Sequence, residues 1–346
     1  MPDMERRSFM AAALLVPSMG GSQMFTQPPT TVGWTEVEAM RAAATRLKRT
    51  DMLSGAGVAL QRANEEGELA KTILAAPLAA TGMNLFGERA TAAAWLFTNI
   101  GFVHHDLGGH MEALSWWGLA EETAKDANDW SLTSRVLGQR ARQKMSTGDP
   151  HGAIEDLSRA VEGDRREELN ATDMAMLHSL LARANGYLGD EQATLAAIAI
   201  ADNFMHSQST PDDSAERPWT GHYDVAHHEG DTGAALRSLA HHGYRHGAAA
   251  IGLYEHSLRV TLDGNERSRV LVCGSLARLH LTNGDVDRGI ARGHEMLTLM
   301  MRNRVLSRRV IDRIDRLDTA VGPYEGLPAV GHLREHIVEA KRSVGL

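Results

Sequence analysis

The 346-residue chain has a single cysteine, Cys273, so it forms no internal disulfide framework and no cysteine-based zinc site. Aromatics make up 5% of the residues, which favours helix over sheet in a chain rich in Ala and Leu. No apolar run reaches the ~18 residues of a transmembrane helix, so membrane insertion is not expected. Positive charge is also short: 36 Lys+Arg stand against 44 Asp+Glu, a net charge of −8 that argues against direct nucleic-acid binding. Phosphate-cradling loops, nucleophile elbows and dinucleotide fingerprints are absent, and no cofactor is expected. The hydrophobic fraction is 43%, enough to bury a real core.

Residues 1–33 read as a flexible linker or signal-like segment. Arg6-Arg7-Ser8-Phe9 precedes a short apolar stretch, Ala11–Val16, and Pro28-Pro29 closes it. The apolar core is short and no Ala-x-Ala site follows, so a cytoplasmic linker is favoured over twin-arginine export.

From Trp34 onward the sequence repeats itself. Gly108, Gly148, Gly189, Gly230 and Gly284 each read as a turn, at intervals of 40, 41, 41 and 54 residues. A glycine at this place ends one helix, and an Asp after it caps the next. Each turn is followed by a triplet spaced four and three, such as Ala113/Trp117/Ala120 and Ala153/Leu157/Ala160. Those spacings share one helix face. Seven residues before each glycine lie Gly101, Ala141, Ala182, Tyr223 and Ala277, mostly small enough for close helix packing. The unit is a helical hairpin, and such units bury their apolar faces only by stacking.

Helices are predicted at 35–49, 57–67, 69–82, 88–106, 110–126, 129–146, 150–162 and 171–187. Further helices are predicted at 190–204, 215–228, 232–243, 246–262, 266–282, 286–301, 303–319 and 328–343. The 54-residue interval is assigned to an extra helix near 246–262. Phe204–Glu216 is expected to be an inserted loop.

Leu107-Gly108 followed by Ala113, Trp117 and Ala120 resembles a tetratricopeptide repeat with a longer period. The expected fold is therefore an all-α, right-handed superhelical solenoid spanning 34–346. Over Trp34–Leu346 the chain also resembles the C-terminal sensor half of actinobacterial helix-turn-helix regulators of the xenobiotic-response-element type. The carriers are the Arg6-Arg7-Ser8-Phe9 segment, Arg46-Leu47 with Asp51, Ser54-Gly55-Ala56-Gly57, Asn265–Arg269 and Ser307–Val310. Only a linker-like segment precedes Trp34, so the resemblance implies a sensor and does not bring DNA binding with it.

In tetratricopeptide folds the first helix of each hairpin lines the concave groove. The resemblance then implies groove positions six residues before each glycine: Phe102, Arg142, Arg183, Asp224 and Arg278. Thirteen before lie Trp95, Arg135, Met176, Arg217 and Leu271. Arg135, Arg142 and Arg183 form a cationic strip suited to carboxylates or phosphates. Asn99, His105, Tyr187 and His227 complete the candidate groove. The competing reading pairs these arginines with acids on adjacent helices.

Other constellations carry less. His332-Leu333-Arg334-Glu335-His336 matches an inverted zinc-protease motif but lacks a third ligand downstream, and no metal site is expected. The pairs His104-His105, His227-His228 and His241-His242 read as structural or solvated. Arg302, Arg304, Arg308, Arg309, Arg313 and Arg316 interleave with Asp312, Asp315 and Asp318 as a helix laced by ion pairs. Cys273 and the methionines read as packing.

The expectation is a non-enzymatic regulatory binding protein, its groove taking a peptide, a small anionic ligand or a protein partner. A scaffold working with a separate DNA-binding protein, an exported solenoid, a homodimer and, remotely, a histidine-dependent hydrolase stay open.

Overall fold

The computed structural model describes residues 30–79, 83–162, 165–207, 219 and 223–345. The twin-arginine segment and residues 208–216 of the expected insertion lie outside these residues, while residues 204–206, expected in that loop, end a helix. Within them the chain is helical, and fourteen α-helices pair as seven hairpins. They are α1 (Trp34–Ser54) with α2 (Leu60–Ala75), α3 (Met83–Asp106) with α4 (His110–Asp126), and α5 (Trp130–Ser146) with α6 (Pro150–Glu162). Next come α7 (Ala171–Leu188) with α8 (Glu191–His206), and α9 (Val225–His241) with α10 (Gly247–Val260). The last are α11 (Glu266–Thr282) with α12 (Val286–Asn303), and α13 (Arg308–Val321) with α14 (Pro328–Ser343). No helix of the described residues is long and apolar enough to cross a membrane.

Local chemistry sets the hairpin boundaries. Gly108, Gly148, Gly189 and Gly284 all adopt positive φ, as the turn register requires. Asp190 then caps α8 by accepting from Ala193 N at 2.9 Å, and Asp285 caps α12 by accepting from Arg288 N at 3.4 Å. Close packing follows from the small residues: a Cβ on Gly101 would lie 2.4 Å from Trp117 Nε1.

Two sequence readings change. Residues 57–67 and 69–82 give one helix, Leu60–Ala75, because Gly67 continues it and leaves room for the Trp116 ring. Gly230 is also not a turn: it lies inside α9, and the turn falls at Gly243, with φ 93°. The intervals become 40, 41, 54 and 41 residues, so the added length precedes α9 rather than forming the helix at Gly247–Val260. Asp231, read as a cap, is released for another role.

The superhelix closes on itself. Leu306 N donates to Ser54 O at 2.8 Å, and Gly57 N donates to Leu306 O at 3.0 Å. One hydrophobic core runs from Val32–Val136 into Val270–Ala340, joining the first hairpins to the last. Val32 itself, within the expected linker, is buried and pairs with the 77–79 segment. Smaller clusters around Leu137–Tyr223 and Leu236–Leu279 fill the remaining hairpins. Cys273 is packing, as read, and burial pushes its thiol up to about 12.

Candidate functional site

The first helix of each hairpin faces the inside of the closed array. A cavity of about 190 Å³ opens there, lined from α1, α3, α5, α7, α9, α10, α11 and α13. Seven cationic side chains reach it: Lys48, Arg135, Arg142, Arg183, Arg267, Arg309 and Arg313. Two carboxylates, Asp51 and Asp231, answer them from the wall.

Asp231 binds two arginines at once. Arg142 Nη2 donates to its Oδ2 and Arg183 Nη1 to its Oδ1, both at 2.8 Å. Burial alone would raise the Asp231 pKa, but the two guanidiniums more than offset it and hold the carboxyl well below its ordinary range. The same carboxylate raises Arg183 against the desolvation that would lower it.

A second knot ties the ring closure to the cavity. Arg267 Nη1 lies 2.6 Å from Asp51 Oδ1 and 3.2 Å from Asp106 Oδ1. Arg309 Nη1 is 3.7 Å from the same Asp106 oxygen. Asp106 is fully buried, and its other oxygen accepts from Ala56 N at 3.4 Å. Burial, partly countered by Arg267 and reinforced by Asp106, raises Asp51 to about 7. The Arg267 and Arg309 guanidiniums stand 4.9 and 5.9 Å from the Phe102 ring centre, a double cation–π contact.

The other cations are destabilised in their charged form by burial. Burial and the Arg135 charge push Lys48 down to about 7. Burial and Arg142 push Arg135 down to about 9, although the Gln139 amide oxygen accepts from its Nη2 at 2.9 Å. Burial, against the pull of Asp106, leaves Arg309 at about 10. Burial is the first cause of each shift, with neighbouring cations adding to it. Tyr254 adds a polar group: it is 2% exposed, lines the cavity, and its hydroxyl finds no hydrogen-bond partner among the described residues.

The structure distributes the candidate residues in three ways. Asn99, Phe102, Arg135, Arg142, Arg183 and His227 line this cavity. Trp95 lines a second one of about 770 Å³, with Trp219, Glu38, Arg41 and Glu88. The two cavities occupy successive turns of α1, α3 and α5. His105, Tyr187, Asp224 and Arg278 line neither. His105 is buried beside Phe102 and Trp117, with a pKa held down by burial and then by Arg309. Asp224 caps α9 through His227 N at 2.9 Å and also meets the His227 ring. Tyr187 and Arg278 lie farther along the inner helices, beyond Arg183 and Ser275.

Sequence reasoning missed Lys48, Asp51, Asp231, Arg267, Arg309 and Arg313. Arg309 and Arg313 were assigned to a self-paired helix. Only Arg308–Asp312, at 2.9 Å, pairs that way among the described contacts of α13. Asp315 and Asp318 instead pair with Lys341 and Arg334 of α14, which leaves the Arg309 and Arg313 face to the cavity. His336 of the inverted zinc motif meets His294 at 2.8 Å, Nδ1 to Nδ1, on α12.

No family model matches the chain, and no curated protein is similar to it. Among solved structures, a Rap protein complexed with competence and sporulation factor is similar with TM-score 0.48 and 10% identity. That match covers 89% of this chain and 99% of the other. A circular tandem repeat protein of novel repeat topology is similar with TM-score 0.30 and 15% identity, covering 99% of this chain and 96% of that one.

Proposed function

We propose that the chain is a non-enzymatic binding module whose inner cavity takes the anionic group of a small molecule, or the charged end of a peptide or partner segment. One observation carries this reading. Seven cations face two carboxylates in one cavity of a chain whose net charge is −8. Focused charge of the sign opposite to the whole molecule attracts and orients an anion. Arginine forks suit carboxylate and phosphate oxygens in particular. The cavity volume decides the size class: about 190 Å³ lies below the ~300–1,000 Å³ of drug-sized sites and suits a compact group.

Arg267 and Arg309 belong both to the wall and to the ring closure. An anion that draws them from Asp51 and Asp106 changes the balance between closed and looser arrays, provided it binds the two states unequally. That coupling, with the sensor-like resemblance of the sequence, supports a role in transcriptional or signalling control in the cytoplasm. The direct test is calorimetry with phosphate- and carboxylate-bearing small molecules and acidic peptides, on the wild type and Arg309→Gln. Saturable binding that weakens in the folded variant is expected. Affinity unchanged by the substitution overturns the cavity as the site. N-terminal sequencing from the native host tests the location, since a mature start beyond Met19 means export.

A further inference from the structure

With the turn at Gly243, a pattern runs along the inner channel. Arg142, Arg183, Arg237 and Arg278 each lie six residues before a left-handed turn glycine, Gly148, Gly189, Gly243 and Gly284, and Arg316 lies six before Gly322, which closes α13 in the right-handed region. The same register position on five successive inner helices puts five guanidiniums in one spiral. The first two share Asp231 at 2.8 Å. The guanidiniums of Arg237, Arg278 and Arg316 have no hydrogen-bond or ion-pair partner among the described residues, and neither has Arg313, one turn before Arg316.

We propose that Arg237, Arg278, Arg313 and Arg316, with the Tyr254 hydroxyl, form a subsite at the far end of the channel for a condensed phosphate, the diphosphate or triphosphate group of a small molecule. The proposal extends the ligand-binding reading of the cavity and rests on it, because Arg313 and Tyr254 line that cavity.

Four guanidiniums gather here with no carboxylate partner among the described residues: Arg237 is buried, Arg278 and Arg313 are half-buried and Arg316 is exposed. Arg237 is 6% exposed, and its Nε and that of Arg278 are buried without a partner. A buried charge left unpaired costs several kcal/mol. Helix termini supply part of the balance: Arg237, Arg278 and Arg316 stand near the C-terminal ends of α9, α11 and α13, which close at His241, Thr282 and Val321. At about −0.5 elementary charge each, three ends give roughly −1.5 against four guanidiniums. The surplus positive charge, part of it solvated on exposed Arg316, exceeds what a single carboxylate neutralises and suits a diphosphate. Its clustered oxygens accept the paired, charge-assisted bonds that guanidinium forks donate.

The electrostatics agree. Burial and then Arg237 hold Arg313 down to about 9, and burial and then Arg237 and Arg316 hold Arg278 down to about 10. Burial works to raise the Tyr187 phenol, yet Arg183, Arg237 and Arg313 bring it below its ordinary range.

The experiment is calorimetry of the full chain with pyrophosphate and ADP, using citrate and inorganic phosphate as controls at fixed ionic strength. Pyrophosphate or ADP is expected to bind at least about tenfold more tightly than either control, the worth of one or two added charge-assisted bonds. Arg278→Gln should weaken that binding about tenfold while the thermal midpoint stays level or rises, since removing a like charge relieves repulsion. Arg316→Gln, at an exposed position, repeats the test without touching the core. Tighter ADP identifies a nucleotide source and equal affinity a free condensed phosphate; either supports the site. Pyrophosphate and ADP binding no better than citrate, or affinities unmoved by Arg278→Gln and Arg316→Gln, overturn it. If citrate binds and only Arg309→Gln weakens it, the cavity reading stands and this subsite falls. If no anion binds at all, both fall.

Discussion

Arg142 and Asp231 meet at 2.8 Å across 89 residues of sequence, and Arg183 joins the same carboxylate from the helix between them. Three inner helices, α5, α7 and α9, are thereby fastened at one point facing the cavity. Under the proposed function this carboxylate is what an entering anion has to compete with for Arg142 and Arg183.

Replacing Asp231 by Asn keeps the shape and removes the charge. Arg142 and Arg183 are left facing each other, and a loss of about 3–5 kcal/mol at low ionic strength is expected. Added phosphate should restore part of it. Urea denaturation with and without phosphate checks this; equal stability of variant and wild type would show the triad to be energetically idle. In the wild type, the depressed Asp231 pKa gives stability that is present above about pH 4 and lost as pH falls further.

Arg267→Ala removes the cation between Asp51 and Asp106. A cost of about 3–5 kcal/mol is expected at pH 8.5, because buried Asp51 loses its ion-pair partner and Asp106 keeps only the more distant Arg309. Asp51 already has its pKa raised to about 7, so the folded state holds its proton more firmly than the unfolded chain does. Its contribution is present at low pH and lost as pH rises through about 7 in the wild type. The variant should therefore recover stability on acidification to pH 5.5. Denaturation curves at the two pH values decide, and a variant no better at pH 5.5 would contradict the assignment.

Under the proposed function, Lys48 would register the entry of an anion as proton uptake. Its pKa of about 7 lies below that of an unfolded lysine, so the folded chain binds fewer protons and its stability rises with pH from about 7 to about 10.5. An anion in the cavity raises that pKa. Binding at pH 8 should take up a proton, seen as a binding enthalpy that varies with the ionisation heat of the buffer. Lys48→Met should reduce the variation, Asp51 in the same cavity supplying the remainder, and a buffer-independent wild-type enthalpy would sink the idea.

Gly101→Ala tests the hairpin packing apart from any ligand. The added Cβ would stand 2.4 Å from Trp117 Nε1, which donates to Thr98 O at 3.1 Å. Overpacking of this kind costs about 1–3 kcal/mol. A chemical melt measures it; an unchanged midpoint would mean that α3 and α4 are not packed as described.

The hairpins were legible because their signals are local. Glycine at a left-handed turn, aspartate at a cap and small residues at a helix crossing act within a few residues of each other, as at Gly189, Asp190 and Ala182. Gly230 misled because Gly-Asp is written alike whether Asp231 caps a helix or crosses the channel to Arg142. With the turn placed there, the groove register landed on Asp224, a cap, and passed over Arg237. Half of the inner cavity was readable from that register. The other half depends on closure: Asp51 and Arg267 are 216 residues apart, and no periodicity announces their contact. For the same reason Arg309 and Arg313 read as partners of their own helix's aspartates, while the packing of α14 draws Asp315 and Asp318 to the other side.

The bonds between Leu306 and the Ser54–Gly57 turn have a bearing on what the array tolerates. An open stack of hairpins can lose or gain a unit and keep its remaining interfaces. Here the first and last hairpins serve as each other's end caps, so the circumference is fixed. Deleting one internal hairpin would leave Ser54 and Leu306 out of reach and expose two apolar faces at once. The molecule behaves in this respect as a hoop, in which a change at any hairpin is felt at the seam.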